Sequence, residues 1–397
     1  MDWKKISKDE KNRYIIPNRW IFIHYYEALN LLFRIENAVR IFVYIILKNE
    51  LSDKWIEVQI ANEEDSNEGT IGSIAKKRIK QSRSFGYLGH SISCPIMYLT
   101  SGELIRLIVS NSYWKYFKEY FFGNKEIVRN KFEEIGSIRN SLAHFRTIKQ
   151  EAIGMIKQNS KHMLMGIEQL FSQVLTQHVV TPTNTQDSWY KKLRVLGTDI
   201  CLFSITQSKN EQWIRLTIQY NCPILVKKFF YDTVIYYKIL NIKSSEILKK
   251  YASLKRNITY LSEIIPFTTM GEEYTPNFSK IIIMVFNRKI LEEKYDEIKA
   301  DIENLLNKIS EETDLIKDDN LARGEIINSV EIGASSIKEN NGIKWIINTE
   351  VLRTLVSDKD PAEYWGSFGL YSPLDFISGT NLYPWMPEDV SYLELPF

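Results

Sequence analysis

Apolar positions recur with a helical period through roughly the first half of the chain and lose that period afterwards. At 100° per residue, Leu29, Leu32, Phe33, Val43 and Leu47 share one face of a segment from Arg19 to Leu51, and Ile35, Val39, Phe42 and Ile46 widen it. Glu27, Asn30, Arg34, Asn37 and Lys48 fill the opposite wedge, so the pattern predicts one long amphipathic helix. A second helix starts near Thr100, where Thr100 and Glu103 have capping-box spacing. Leu104, Leu107, Ile108 and the aromatics from Trp114 to Phe122 continue it, and Gly123-Asn124 ends it. The aromatic cluster is read as core. Val128, Phe132, Ile135, Ile138, Leu142 and Phe145 place a third helix from Lys125. Ile153, Ile156, Met163, Ile167, Leu170 and Val174 place a fourth, to about Thr176. At least four helices and no convincing strand predict an all-α antiparallel bundle over residues 1–178.

Residues 179–188 lose the period and gain Pro, Thr and Asn, which reads as a linker. Beyond it, residues 189–397 read as an α+β domain. Val195–Thr206 and Trp213–Tyr220 have strand character around the turn Gln207-Ser208-Lys209-Asn210, and Lys280–Phe286 is an apolar run suited to a buried strand. Helices are expected at Ser244–Asn257 and Ile290–Glu311, and the last 40 residues are aromatic with little period.

Composition adds limits. The chain has 397 residues, 44% hydrophobic and 25% charged, as in globular proteins. No charge-free run of 18 apolar residues occurs, so no membrane span is expected. The charged N-terminus does not read as a secretory signal. Cys94, Cys201 and Cys222 are scattered and odd in number, which suits a reducing cytoplasm and neither a disulfide framework nor a zinc site. The net charge of +2 hides an asymmetry: residues 1–180 hold 26 Lys+Arg against 19 Asp+Glu (+7), leaving 25 against 30 (−5) for the rest. A basic half suits a polyanion. Lys76, Lys77, Arg78, Lys80 and Arg83 concentrate that charge and are candidate RNA contacts, although a solvated helix face explains most such runs.

Chemistry concentrates at Arg139-Asn140-Ser141-Leu142-Ala143-His144. Asn140 and His144 lie one helical turn apart, so the amide is placed to orient the imidazole. Arginine suits a phosphate and histidine suits proton transfer near neutral pH. Together, without a metal cage or cofactor, they suit attack of a ribose 2′-hydroxyl on the adjacent phosphate, which needs RNA. Two facts restrain this reading. Arg19 and His24 share the spacing. Arg139 and His144 also diverge by about 140° on an ideal helix, so one helix cannot aim both at a single small group. Glu36 and Arg40, four apart inside the apolar sector of the first helix, are expected to pair with each other or to meet a third polar group. In the second half, Asp199, Asp232, Glu272 and Glu273 supply carboxylates but no catalytic spacing.

The N-terminal half resembles the HEPN domain, a helical ribonuclease fold of toxin and phage-defence proteins. The matching residues are Arg139-Asn140-x-x-x-His144, in the family's Arg-x(4–6)-His form, and Glu36-Asn37-Ala38-Val39-Arg40 in the first long helix. The stretch from Leu99 to Phe122 is similar to the abortive-infection branch. The resemblance covers residues 15–178. It implies a homodimer with two motifs facing across a cleft, cutting RNA (a tRNA or an mRNA) without metal or cofactor. Arg139 of one copy would then work with His144 of the other. The second half would restrain the nuclease or sense a trigger, one derived from phage in a defence setting. The aromatic tail from Pro384 to Phe397 is one candidate cover for the basic cleft. HEPN-like bundles also serve as non-catalytic RNA-, nucleotide- or partner-binding modules, in which Arg139 and His144 would be a structural pair.

Overall fold

The computed structural model describes the chain apart from residues 1–6, 9, 13, 16–24, 61–68, 86–93, 145, 147, 176–179, 184, 230–233, 265–267, 273–274, 318–325, 340–341, 348–355, 358 and 368–397. Its first half is helical and its second half is rich in sheet. After a two-residue ladder, β1 (Ser7–Lys8) with β2 (Tyr14–Ile15), comes α1 (Tyr25–Leu51). The start expected at Arg19 falls outside the described residues. A second short ladder, β3 (Gln59–Ile60) with β4 (Gly69–Thr70), leads into α2 (Ile71–Phe85). These two ladders correct the strandless reading of this half.

The helix expected from Thr100 to Phe122 is broken. α3 (Ser101–Ile108) ends at Val109, and a turn precedes the short α4 (Trp114–Phe117). Ser110 explains the break: its hydroxyl accepts from the Tyr113 backbone at 3.1 Å, a local bond that competes with the helix. Thr100 and Glu103 do form the capping box. The aromatics that follow are mostly core, with Phe117, Tyr120 and Phe121 closing around Phe42 at centroid distances of 5.6, 5.3 and 5.7 Å. α5 (Lys125–Ala143) begins at Asn124, which caps the Ile127 backbone, and α6 (Gln150–Val174) follows.

α1 is the axle of the bundle, with α3, α5 and α6 packed along it. Enclosure overrides its amphipathic pattern. Arg34, Asn37 and Lys48, expected on a solvated wedge, are only 6%, 2% and 2% exposed, whereas Leu29 is 47% exposed. The buried polar groups are partnered instead: Arg34 donates to Asn30 and Asn37 donates to the Phe33 carbonyl.

The second half opens with α7 (Ser188–Leu193) and two strands, β5 (Cys201–Gln207) and β6 (Trp213–Asn221). Next come β7 (Ile224–Phe229), β8 (Val234–Ile242), α8 (Ser244–Lys250) and α9 (Ala252–Asn257). The chain continues through β9 (Tyr260–Ile264), β10 (Thr268–Glu272), β11 (Thr275–Asn287) and α10 (Arg288–Lys317). It ends with β12 (Ile327–Glu339), β13 (Gly342–Ile347) and β14 (Tyr364–Ser367). One sheet runs β14-β9-β11-β6-β5 with β10 beside β11; the other runs β13-β12-β8-β7. All pairings are antiparallel except β14 with β9.

The run Lys280–Phe286 is apolar throughout because both faces of β11 are covered. Ile282, Met284 and Phe286 join a core with α10 and the second sheet, while Ile283 and Val285 enter the core of the helical bundle. Trp213, Tyr260 and Trp365 enter that bundle core too. Each buried side chain of this size contributes about 1.5–3 kcal/mol of apolar transfer, so the two halves share a core. Residues 179–188 connect them but are not a free tether: the Gln207 backbone N–H donates to Val180 at 2.8 Å, and Arg288 pairs with Asp187.

Candidate functional site

α1 carries Glu36 and Arg40 on the face that meets α3 and α5. Arg40 donates through Nη2 to Glu36 Oε1 and to the Leu99 carbonyl at 3.0 Å, and through Nη1 to Asn37 Oδ1 at 3.2 Å. The hydroxyl of Ser101, in the first turn of α3, donates to Glu36 Oε2. From α5, Arg139 brings Nε to 3.9 Å from the same Oε2. The expected mutual pair is therefore a cluster: one carboxylate held by an arginine and a serine, with a second arginine beside it. Burial pulls the Arg40 guanidinium below its ordinary value; Glu36 opposes that shift, and Arg139 adds repulsion in the downward direction.

The cluster lines an apolar cleft between α1, α3 and α5 with a cavity volume of about 40 Å³. Leu32, Ile35, Val39, Leu104, Phe132 and Ile135 wall it; Glu36, Ser101 and Arg139 are its polar lip. Arg139 is 45% exposed, and among the described residues its one ion pair is the long one to Glu36.

Asn140 and His144 lie apart from this lip. His144 is the C-cap of α5, with φ −98° and ψ 17°, and its backbone N–H still donates to the Asn140 carbonyl at 3.2 Å. Both side chains are exposed, and among the described residues no side-chain hydrogen bond or ion pair joins His144 to Asn140 or Arg139. The expected amide-to-imidazole bond is not among those that the described side chains make, although the helical backbone bond between the two residues is kept. Arg19 and His24 lie outside the described residues.

The basic run also divides. Lys76, Lys77 and Lys80 are exposed on α2. Arg78 is instead occupied, with two 2.7 Å bonds to Glu103 and a third bond to the Tyr98 carbonyl, which removes it from the candidate RNA contacts. Arg83 lies on α2, but its side chain is outside the described residues. Burial pushes the Glu103 carboxyl up, yet the Arg78 bonds and the Thr100 backbone outweigh burial and hold it below the usual carboxylate range. The first turn of α3 therefore links the basic helix, through Glu103, to the Glu36 cluster, through Ser101.

No family model matches this chain, and no curated protein or solved structure matches it either.

Sequence reasoning missed Ser101 and the Leu99 carbonyl. The signal available was the capping box, which fixes Ser101 in a first helical turn but not which helix it meets. Among the described residues, no group of three or more His, Cys, Asp or Glu is placed to hold a metal ion. The three cysteines are free and buried, and burial pushes the Cys201 and Cys222 thiols up to about 12, so they are poor nucleophiles. Asp199 is exposed; Asp232 and Glu273 are outside the described residues, as is the side chain of Glu272. The tail Pro384–Phe397 lies outside them too. No helix among the described residues is long and apolar enough to cross a membrane.

Proposed function

We propose that the chain is a metal-independent endoribonuclease effector of the HEPN type, acting in anti-phage abortive infection, with its second half as the sensing or restraining part. One observation carries the reading. Arg139 and Glu36 belong to the two segments that resemble the family, lie far apart in sequence, and meet at 3.9 Å beside one cleft. In this mechanism Arg139 binds the scissile phosphate and stabilises the charge that grows on it, while Glu36, fixed by Arg40 and Ser101, holds Arg139 in place. His144 moves the proton of the attacking 2′-hydroxyl. Because Arg139 and His144 diverge by about 140° around one helix, a second copy of the chain supplies the complementary residue, and the working form is a homodimer. Lys76, Lys77 and Lys80 carry the flanking RNA backbone.

A second reading, a non-catalytic binding module, is favoured by the unanchored His144 side chain. RNA cleavage in EDTA by wild type, Arg139→Ala and His144→Ala separates the two. The nuclease reading expects at least a 100-fold loss in both variants. Equal cleavage by all three proteins, or RNA that is bound in a salt-dependent way and left intact, overturns it.

A further inference from the structure

A second cleft lies in the other half of the chain, where the Asp199-Ile200 turn before β5, the end of β6 and the start of β11 come together. Its cavity volume is about 570 Å³, inside the range of small-molecule sites, roughly 300–1,000 Å³. Backbone bonds set its three sides. Gly197 leads into the turn at φ +145°, a conformation that residues with a Cβ rarely adopt. The Thr198 N–H donates to the Cys201 carbonyl at 2.9 Å, and the Cys201 N–H donates to the Thr198 hydroxyl at 3.1 Å. The Asn221 N–H donates to the Ile200 carbonyl at 3.2 Å and ties the turn to β6. The Cys222 N–H donates to the Phe278 carbonyl at 2.9 Å and ties β6 to β11. The cleft is thus held in shape by the chain itself, which lowers the cost of binding.

The lining chemistry identifies the ligand class. Asn221 and Ser279 satisfy each other, the hydroxyl donating to Oδ1 at 3.0 Å. Asp199, Gln219 and Asn277 differ: among the described residues their side chains make no hydrogen bond or ion pair. No Lys, Arg or His is among the lining residues. The Lys280 ammonium, close enough to act on the lining Cys222 thiol, is already spent on Glu263, Ile242 and Asn241. A carboxylate without a partner cation repels a phosphate or any other anion. It accepts instead from two neighbouring N–H donors. The Gln219 and Asn277 amides each set a donor beside an acceptor, the pattern that pairs with the edge of a base. Ile200 and Ile224 add apolar wall for a flat ring.

We propose that this cleft binds an unphosphorylated nucleoside whose base presents two adjacent N–H donors, as guanine does, to Asp199, with Gln219 and Asn277 pairing along its other edges. β6 and β11 also carry Trp213, Ile283 and Val285 into the core of the helical bundle, so the ligand sits on the strands that join the two halves. The site gives the sensing role proposed for the second half a ligand class. It rests on that reading for its consequence only, since the binding is a property of the cleft.

The test uses the full chain and measures affinity for guanosine, inosine, guanosine 5′-monophosphate, glucose and putrescine, by calorimetry or chemical-shift perturbation. Guanosine is expected to bind about 10-fold more tightly than inosine, which lacks the exocyclic amine, on the scale of one hydrogen bond to a charged group. It is also expected to bind more tightly than its monophosphate. Asp199→Asn is expected to remove both preferences while leaving the unfolding midpoint unchanged, because Asp199 is exposed. Gln219→Met, of similar volume, is expected to weaken guanosine and inosine alike. The proposal is overturned if guanosine does not bind at millimolar concentration, if the monophosphate, glucose or putrescine binds more tightly than guanosine, or if Asp199→Asn leaves the preference for guanosine over inosine intact. No RNA enters these measurements. Guanosine binding by a chain that cuts no RNA therefore sinks the ribonuclease reading alone, and RNA cleavage by a chain that binds no guanosine sinks only this site.

Discussion

Glu263 with Lys280, and Glu36 with Arg40 and Arg139, place similar chemistry at opposite degrees of closure. Lys280 and Glu263 are 0% and 1% exposed and pair at 2.9 Å between β11 and β9. Lys280 spends its remaining donors on the Ile242 carbonyl at 2.6 Å and on Asn241 at 3.4 Å, and Ser244 donates to Glu263. All three ammonium protons are used, so this cluster ties one sheet to the other and has nothing left for a ligand. Around Glu36 the inner half is equally well tied, but Arg139 is 45% exposed with, among the described residues, a single long ionic contact. Saturated charge marks a structural joint. Charge fixed on one side and open on the other marks a place where something else binds.

The strongest way to break this contrast is Lys280→Met. It leaves Glu263 buried without its cation, and removal of one partner of a buried pair costs about 3–5 kcal/mol. Urea unfolding is expected to show that loss, and Lys280→Met with Glu263→Leu is expected to recover roughly half of it, since an apolar pair of similar volume is close to neutral. A loss under about 1 kcal/mol in the single variant would mean that the cluster is not the joint described.

Lys48 ranks next. It sits on α1, 2% exposed, and pairs with Glu363 at 2.9 Å beside β14 and with Asp53 at 3.2 Å. It also donates to the Lys255 carbonyl at 3.0 Å. Because Asp53 is half-exposed and the ammonium has alternatives, Lys48→Met is expected to cost about 3 kcal/mol, the low end for a buried pair. The loss falls on the junction between halves, so a single unfolding transition is expected to split in two. A single, sharper transition would show that the shared core does not depend on this contact.

Legibility in the sequence follows the same division. α5, α6 and the cap of α3 were readable because period and capping are local. The central strand was readable because burial on both faces leaves an unbroken apolar run. The sheet of β7, β8, β12 and β13 was not, since β12 (Ile327–Glu339) mixes Ser, Gly and Glu with its apolar residues and gains its order from pairing with β8. Glu36 and Arg40 were visible as charges in an apolar sector. Lys48 was misread as solvated because nothing on α1 announces Glu363. Period placed Asn140 and His144 one turn apart, and the backbone bond between them is made, but period says nothing of whether two exposed side chains meet.

Arg78 and Glu103 give a smaller, pH-dependent effect. The Glu103 carboxyl lies below its ordinary value in the folded protein, so its bonds contribute fully above that value and their contribution is lost as pH falls through the lowered one. Arg78→Met is expected to cost about 1–3 kcal/mol at neutral pH. The gap from wild type is expected to narrow as pH falls below the ordinary glutamate value of about 4.3 and through the lowered folded value. A gap that stays constant from pH 7 to pH 3 in thermal or urea unfolding would show that the pair contributes nothing through charge.

Arg139→Ala is the smallest expected change in stability and the sharpest test of the opening contrast. Its side chain is 45% exposed, and a 3.9 Å pair across that much solvent is worth little, so the unfolding free energy is expected to move by no more than about 0.5 kcal/mol. Glu36 keeps Arg40 and Ser101, so the inner half of the cluster stays tied. A loss of 2 kcal/mol or more, about the scale of a buried hydrogen-bonded charge, would class Arg139 with Lys280 as a structural joint and remove the reason to place a phosphate there. An unchanged stability with lost RNA cleavage and lost phosphate binding is the opposite signature. It means that the energy Arg139 could have given to the fold was left available for a ligand.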